Sequence, residues 1–147
     1  MNPTNRFRDE NLKLTDFFDE VWVVCVACEK KAIAKTNEET KTARMFCVNC
    51  GYNKEVTTKI DKNGYLSIAA NSWFEADLWL SAPFKNEQFW AYNAEHLSYL
   101  ERYISADLRE QHKRSHFTLL EKLPKFYHEA KNREGLLKII EKLKGKR

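Results

Sequence analysis

Residues 21–31 read VWVVCVACEKK and residues 45–54 read MFCVNCGYNK. Together they hold all four cysteines of the chain, arranged as two Cys-x-x-Cys pairs: Cys25 with Cys28, and Cys47 with Cys50. Two residues between cysteines let a tight turn aim both sulfurs at one point, and two such knuckles supply the four soft ligands of a tetrahedral zinc. The eighteen residues between the pairs are EKKAIAKTNEETKTARMF. KKAIAK and TARMF read as strands around a TNEET turn, a hairpin that would bring the knuckles together. Gly51 follows Cys50 and gives the second knuckle backbone freedom, whereas Glu29 stands in the matching place after Cys28. The spacing predicts one structural Zn2+ per chain. Rubredoxin-like iron and redox-active dithiols stay open as alternatives on the same four sulfurs. A thioredoxin motif would sit in a βαβ pattern, and a bacterial ferredoxin cluster would want a third closely spaced cysteine; the sequence has neither.

Working outward, Val21, Trp22, Val23 and Val24 read as a strand entering the first pair. EVTTKI and YLSIAA flank DKNG, where Asn63-Gly64 predicts a hairpin turn. DLWLSAPF and EQFWAYN predict a further hairpin around Lys85-Asn86. The period then changes. Leu97, Leu100, Ile104 and Leu108 fall on one helical face, with Asn93 as N-cap and Tyr92 and Leu97 placed for a hydrophobic staple; a helix is expected over 94–111. HKRSH reads as a polar loop with surface histidines His112 and His116. FTLLEKL reads as a short helical stretch that Pro124 breaks, itself opening PKFYHEAK. A last helix carries Leu136, Leu137, Ile140 and Leu143, with Asn132 and Gly145 as its caps.

The run VCVAC…FCVNCGY resembles the zinc ribbons, including the transcription-factor-IIB type, over residues 20–60 or so. The resemblance implies a four-cysteine zinc and a ribbon fold. It leaves the task open, because ribbons occur in transcription factors, helicases, ribosomal proteins and enzymes that use them as a clip. Residues 78–110 are similar to a segment of small bacterial proteins that carry such a ribbon and have no assigned activity.

The expected architecture is α+β: a polar lead-in over 1–20, a zinc ribbon over 21–60, β-hairpins over 61–92 and a helical region over 93–147 packed on the hairpins. Trp73, Trp79 and Trp90 are expected to come from the hairpins into the core, rather than to form a base-stacking platform. With 147 residues, 43% hydrophobic and 31% charged, the composition is that of a globular chain. No apolar run approaches the ~20 residues of a membrane helix, and the charged start lacks the apolar core of a signal peptide. A cytoplasmic protein with reduced thiols is the expectation.

No glycine-rich phosphate loop, nucleophile elbow or zinc-protease motif is present, and Asp16, Asp19 and Glu20 have no evident acid–base partner, so no catalytic activity and no small-molecule substrate are expected. His96 is expected to sit at the surface or in a local hydrogen bond. The formal charge is +4, and four thiolates with one Zn2+ would lower it by two. Basic residues gather around the ribbon at Lys30, Lys31, Lys35, Lys41, Arg44 and Lys54, and again at the C-terminal end. They place a nucleic-acid partner first. The alternative is a protein-interaction module, such as an adaptor or a toxin-neutralising immunity protein, with a purely structural zinc.

Overall fold

The computed structural model describes residues 6–8, 12–106, 108–110, 119, 120 and 122–147. In chain order the regular elements are β1 (Arg6–Arg8), β2 (Glu20–Val24), β3 (Lys31–Asn37), β4 (Thr42–Phe46), β5 (Asn53–Thr57), β6 (Leu80–Phe84), β7 (Glu87–Ala91), α1 (Ala94–Ser105), β8 (Leu108–Glu110) and α2 (Arg133–Lys144). Single 3-10 turns occupy Leu14–Asp16, Ala70–Phe74, Lys125–Tyr127 and Ala130–Asn132. The fold is α+β, as the sequence pattern predicts.

Strands β2, β3, β4 and β5 form an antiparallel meander in that order. Residues paired across it share a face, so Val21, Val23, Ala32, Ala34, Ala43 and Met45 lie together. All six are buried. The alanines leave room for the 3-10 turn Ala70–Phe74 to lie against this face, and Ala70 and Ala76 join the small core beneath it. Trp73 is in that turn, not in a hairpin.

The second core is larger. Hairpin β6–β7 supplies Leu80, Phe84, Phe89 and Ala91; α1 supplies Leu97, Tyr99, Leu100, Tyr103 and Ile104; α2 supplies Leu136, Ile140 and Leu143. Trp79 is buried there, while Trp90 is half-buried. Leu12 and Leu14 pack against this core and Phe17 is inside it, so part of the stretch read as a polar lead-in is structural. Trp22 and Val24, on the opposite face of β2 from Val21 and Val23, also pack here. The second edge of β2 is closed by the chain just before β6 and just after β7: Trp22 donates to the Tyr92 carbonyl at 2.7 Å, Val24 to Asp77 at 2.8 Å, and Trp79 to Trp22 at 3.0 Å.

Asn93 caps α1 by accepting from the His96 amide at 2.9 Å. Its Nδ2 also donates to the Phe17 and Glu20 carbonyls at 2.9 and 2.7 Å, so the cap ties α1 to the start of β2. His96 is buried rather than at the surface, and its Nδ1 accepts from the Tyr92 amide at 2.9 Å. Burial pushes its pKa down to about 4, which keeps the ring neutral.

Several expectations need correction. The helix over 94–111 ends at Ser105: Ala106 is extended (φ −75°, ψ 136°), and Leu108 pairs instead with Arg6 in a parallel β1–β8 ladder. The apolar spacing continues past the end, but strand pairing takes the chain away from it. At DKNG the chain turns through a wider loop. Ile60 donates to the Gly64 carbonyl at 3.0 Å and Asn63 to Asp61 Oδ1 at 2.8 Å, with no left-handed residue at Asn63-Gly64. Only the Lys59–Tyr65 bridge forms, so YLSIAA is not a strand. PKFYHEAK forms two 3-10 turns rather than a helix, and residues 119, 120, 122 and 123 of FTLLEKL form turns. Asn132 stands at the N-cap of α2 without capping it: its side chain donates to the Phe126 carbonyl at 3.1 Å and accepts from Lys85 Nζ at 2.7 Å. His112 and His116 lie outside the described residues.

Gly135 sits where α2 meets β6. A Cβ there would fall 2.8 Å from Cε1 of Phe84, whose ring is stacked on Phe126. Gly135→Ala would gain ~1 kcal/mol of helix propensity on an open helix. Here it is expected to lower stability by ~1–3 kcal/mol, because the buried ring has little room to retreat. Chemical denaturation of the variant beside the parent chain measures the sign.

Candidate metal centre

Both knuckles are built at strand ends in the same way. After β2, Cys25 donates to the Lys30 carbonyl at 2.7 Å and Glu29 donates to Cys25 at 3.0 Å. After β4, Cys47 donates to Tyr52 at 2.9 Å and Gly51 to Cys47 at 2.9 Å. The residue following the second cysteine is left-handed in each: Gly51 at φ 82° and Glu29 at φ 64°. Glu29 therefore takes the conformation that its glycine counterpart adopts freely, at a cost of roughly 1–2 kcal/mol for a residue with a Cβ.

The four Sγ atoms all lie within 4.8 Å of one another, and this is the one such cluster of potential metal ligands among the described residues. Cys25 Sγ is 3.7 Å from Cys50 Sγ, and Cys28 Sγ is 3.6 Å from Cys47 Sγ. Tetrahedral zinc with Zn–S bonds of ~2.3 Å places its sulfurs ~3.8 Å apart, so these contacts match the ion's requirement. The Ala27 amide lies 3.4 Å from Cys25 Sγ and Asn49 Nδ2 lies 3.5 Å from Cys28 Sγ, donors that stabilise thiolate. The Asn49 amide, with the Lys30 backbone N–H, pulls Cys28 down to about 6. At Cys50 the Tyr52 backbone N–H also lowers the pKa, but desolvation and the three adjacent sulfurs outweigh it and raise the thiol to about 12. Four thiolates this close repel one another unless a cation sits among them. The donor set thus fits a soft divalent ion.

The six basic residues nominated from the sequence do not form one patch. Lys31, Lys35 and Arg44 share the outer face of the meander, while Lys54 pairs with Met45 and belongs to the opposite face. Lys31 Nζ sits 3.3 Å from the centroid of the Trp22 ring, and Lys41 Nζ 3.9 Å from that of Tyr65. Lys35 pairs with Glu20 at 3.3 Å, and Arg44 with Glu55 at 3.0 Å and with Asn53. Lys30 is exposed beside the first knuckle. At the C-terminal end, Lys144 pairs with Glu101 at 2.6 Å, and Lys146 donates to the Trp79 carbonyl at 2.8 Å. The carboxylates before the ribbon are likewise engaged: Asp16 with the Lys13 amide at 2.6 Å and Asp19 with the Thr36 hydroxyl at 2.9 Å.

Two features escaped the sequence reading. One is Asn49, whose only signal is an amide side chain inside the second knuckle. The other is the pair Val26 and Val48, one after the first cysteine of each knuckle, 53% and 91% exposed. Compared with known proteins, the chain matches no family model, no curated protein and no solved structure.

The shared left-handed site makes a paired prediction. Gly51→Ala is expected to cost ~1–2 kcal/mol from backbone strain alone, since no atom lies within 4 Å of the added Cβ. Glu29→Gly should be neutral or stabilising by up to ~1 kcal/mol. Thermal melts of both variants beside the parent chain check this; a destabilising Glu29→Gly would place an unrecognised role on the Glu29 side chain.

Proposed function

We propose that the chain is a zinc-ribbon protein of the kind its cysteine runs resemble, holding one structural Zn2+ on Cys25, Cys28, Cys47 and Cys50. The observation that carries this is the close packing of four sulfurs from two matched knuckles at tetrahedral spacing. Elemental analysis of purified protein should return about one zinc per chain, and Cys47→Ser should lower it. Thiolate ligands compete with protons, so binding is present at neutral pH and lost as pH falls. Zinc retained at about pH 4, or iron in its place, would refute the assignment.

We further propose that the ribbon serves as a protein-interaction module in a reducing compartment. The reading assigns no reaction to the chain. None of the described helices is long and apolar enough to cross a membrane. Support comes from the pairing of surface charge: most nominated basic side chains already face a carboxylate or an aromatic ring, whereas two valines stand exposed at the knuckle tips. The nucleic-acid reading keeps one observation in its favour, the shared outer face of Lys31, Lys35 and Arg44.

Salt separates the two. A phosphate site using about four basic residues gives a log–log salt slope near −3 to −4, reduced by about two when Lys31 and Arg44 lose their charge. The protein-interaction reading expects oligonucleotide binding to vanish by about 150 mM salt. It also expects a stoichiometric protein partner from native lysate, whose affinity falls roughly tenfold in a Val26→Ser/Val48→Ser variant that still holds zinc. Oligonucleotide binding that survives that salt with the steep slope would reverse the order of the two readings.

A further inference from the structure

The four sulfurs are not equivalent toward solvent. Cys25 and Cys47, the first of each pair, are 1% and 2% exposed and belong to the core under the meander. Cys28 is half-buried and Cys50 is exposed. The close contacts, Cys25 with Cys50 at 3.7 Å and Cys28 with Cys47 at 3.6 Å, each join an inner sulfur of one knuckle to an outer sulfur of the other. A disulfide has an S–S bond of ~2.0 Å, so each pair is one approach of ~1.7 Å from bonding.

We infer that the centre is an oxidation site with a fixed order. Hydrogen peroxide enters at Cys50, the first bond formed is Cys25–Cys50, and Cys28–Cys47 follows. In the first step the Cys50 sulfur, which a bound ion would hold as thiolate, attacks peroxide: an S–O bond forms, the O–O bond breaks, and the departing hydroxide takes a solvent proton to become water. The Cys25 thiolate then attacks the oxidised Cys50 sulfur: the S–S bond forms, the S–O bond breaks, and a second hydroxide leaves and is protonated. Two thiolates give up two electrons, and one peroxide becomes two waters. An ion that loses two of its four ligands departs as Zn2+.

The pairing decides what oxidation does to the fold. A bond within a knuckle would close a loop of two residues and leave the knuckles untied. Cross-knuckle bonds join positions 25 and 19 residues apart, and they hold the β2–β3 end of the meander to the β4–β5 end, as the metal does. The oxidised chain therefore gives up the ion and keeps the sheet. The fate of the ion and the order of the bonds rest on the zinc reading, because a bound ion would keep the exposed Cys50 sulfur ionised; the pairing rests on sulfur spacing.

The test uses the full chain, its zinc content fixed first by elemental analysis. It is treated with limiting hydrogen peroxide, quenched by alkylation and mapped by peptide mass spectrometry, while a chromogenic chelator follows released Zn2+. Cys25–Cys50 should be the first cross-link, zinc release should track it, and the strand signal in circular dichroism should persist. A first bond within a pair, a first bond between Cys28 and Cys47, or sulfinic acid without a disulfide would overturn the inference. Cys50→His keeps a fourth zinc-binding side chain; it should slow zinc release by roughly tenfold and redirect the first bond to Cys28–Cys47. An unchanged release rate overturns entry at Cys50. Should that variant fail to take up zinc, alkylation rates in the parent chain read the same order: Cys50 first, with Cys25 or Cys47 ahead of it counting against. Protein purified without zinc would refute the metal assignment separately, since the disulfide map of its reduced form still decides the pairing.

Discussion

Strand β2 is the constraint on which the rest of the structure hangs. Both of its faces are packed and both of its edges are bonded. Val21 and Val23 enter the small core under the meander, while Trp22 and Val24 pack on the helical core. One edge pairs with β3, and the other receives the chain at Asp77, Leu78, Trp79 and Tyr92. Asn93 fastens the start of the same strand to the N-terminus of α1 through two side-chain hydrogen bonds. Cys25 follows β2 directly, so the first knuckle inherits its position from both cores. The first strand of the 21–60 segment is thus a wall to two interiors.

What the sequence disclosed follows from which signals are local. The Cys-x-x-Cys spacing, the strand runs at 21–24, 30–35 and 42–46 and the Asn93 cap each concern residues that act within a few positions of themselves, and each stands in the structure. The misreadings concern residues whose role is set from a distance. Leu108 keeps the helical period but pairs with Arg6, more than a hundred residues away. Asn132 has the chemistry of a cap, yet Lys85 and the Phe126 carbonyl claim its side chain. Asn63-Gly64 suits a tight hairpin turn, but the strand that would follow leaves the sheet, and Tyr65 and Leu66 end up exposed. Glu29 stands where the second knuckle has glycine, and the first knuckle keeps its shape by holding glutamate in the glycine conformation.

Charge shows the same limit. Counting lysines and arginines around the cysteines suggests a basic surface, but strand register decides which charges meet. Glu20 lies opposite Lys35, and Arg44 opposite Glu55, because β2, β3, β4 and β5 pair in that register. Directly opposed unlike charges stabilise a sheet face modestly and leave less free potential for a polyanion. A shift of one residue in β2 or β5 would move Glu20 or Glu55 to the opposite face and leave Lys35 or Arg44 without its carboxylate.

The thinness of the core under the meander shows what an ion bound at the cysteines would add. Three of the six buried residues on the inner face of the meander are alanines, Ala32, Ala34 and Ala43. Each buries one methyl group, on the order of 1 kcal/mol. That economy is imposed by the 3-10 turn Ala70–Phe74, which needs close approach to the sheet. Larger side chains would widen the gap and expel it. A bound zinc contributes ~10–16 kcal/mol in small zinc-finger peptides, far more than three methyl groups. At the knuckle end Cys25 and Cys47 enter the small core, with Cys28 and Tyr52 packed against it, while Val26, Val48 and Cys50 face solvent. An ion held among the four sulfurs would add to that thin core a tie between the two knuckles.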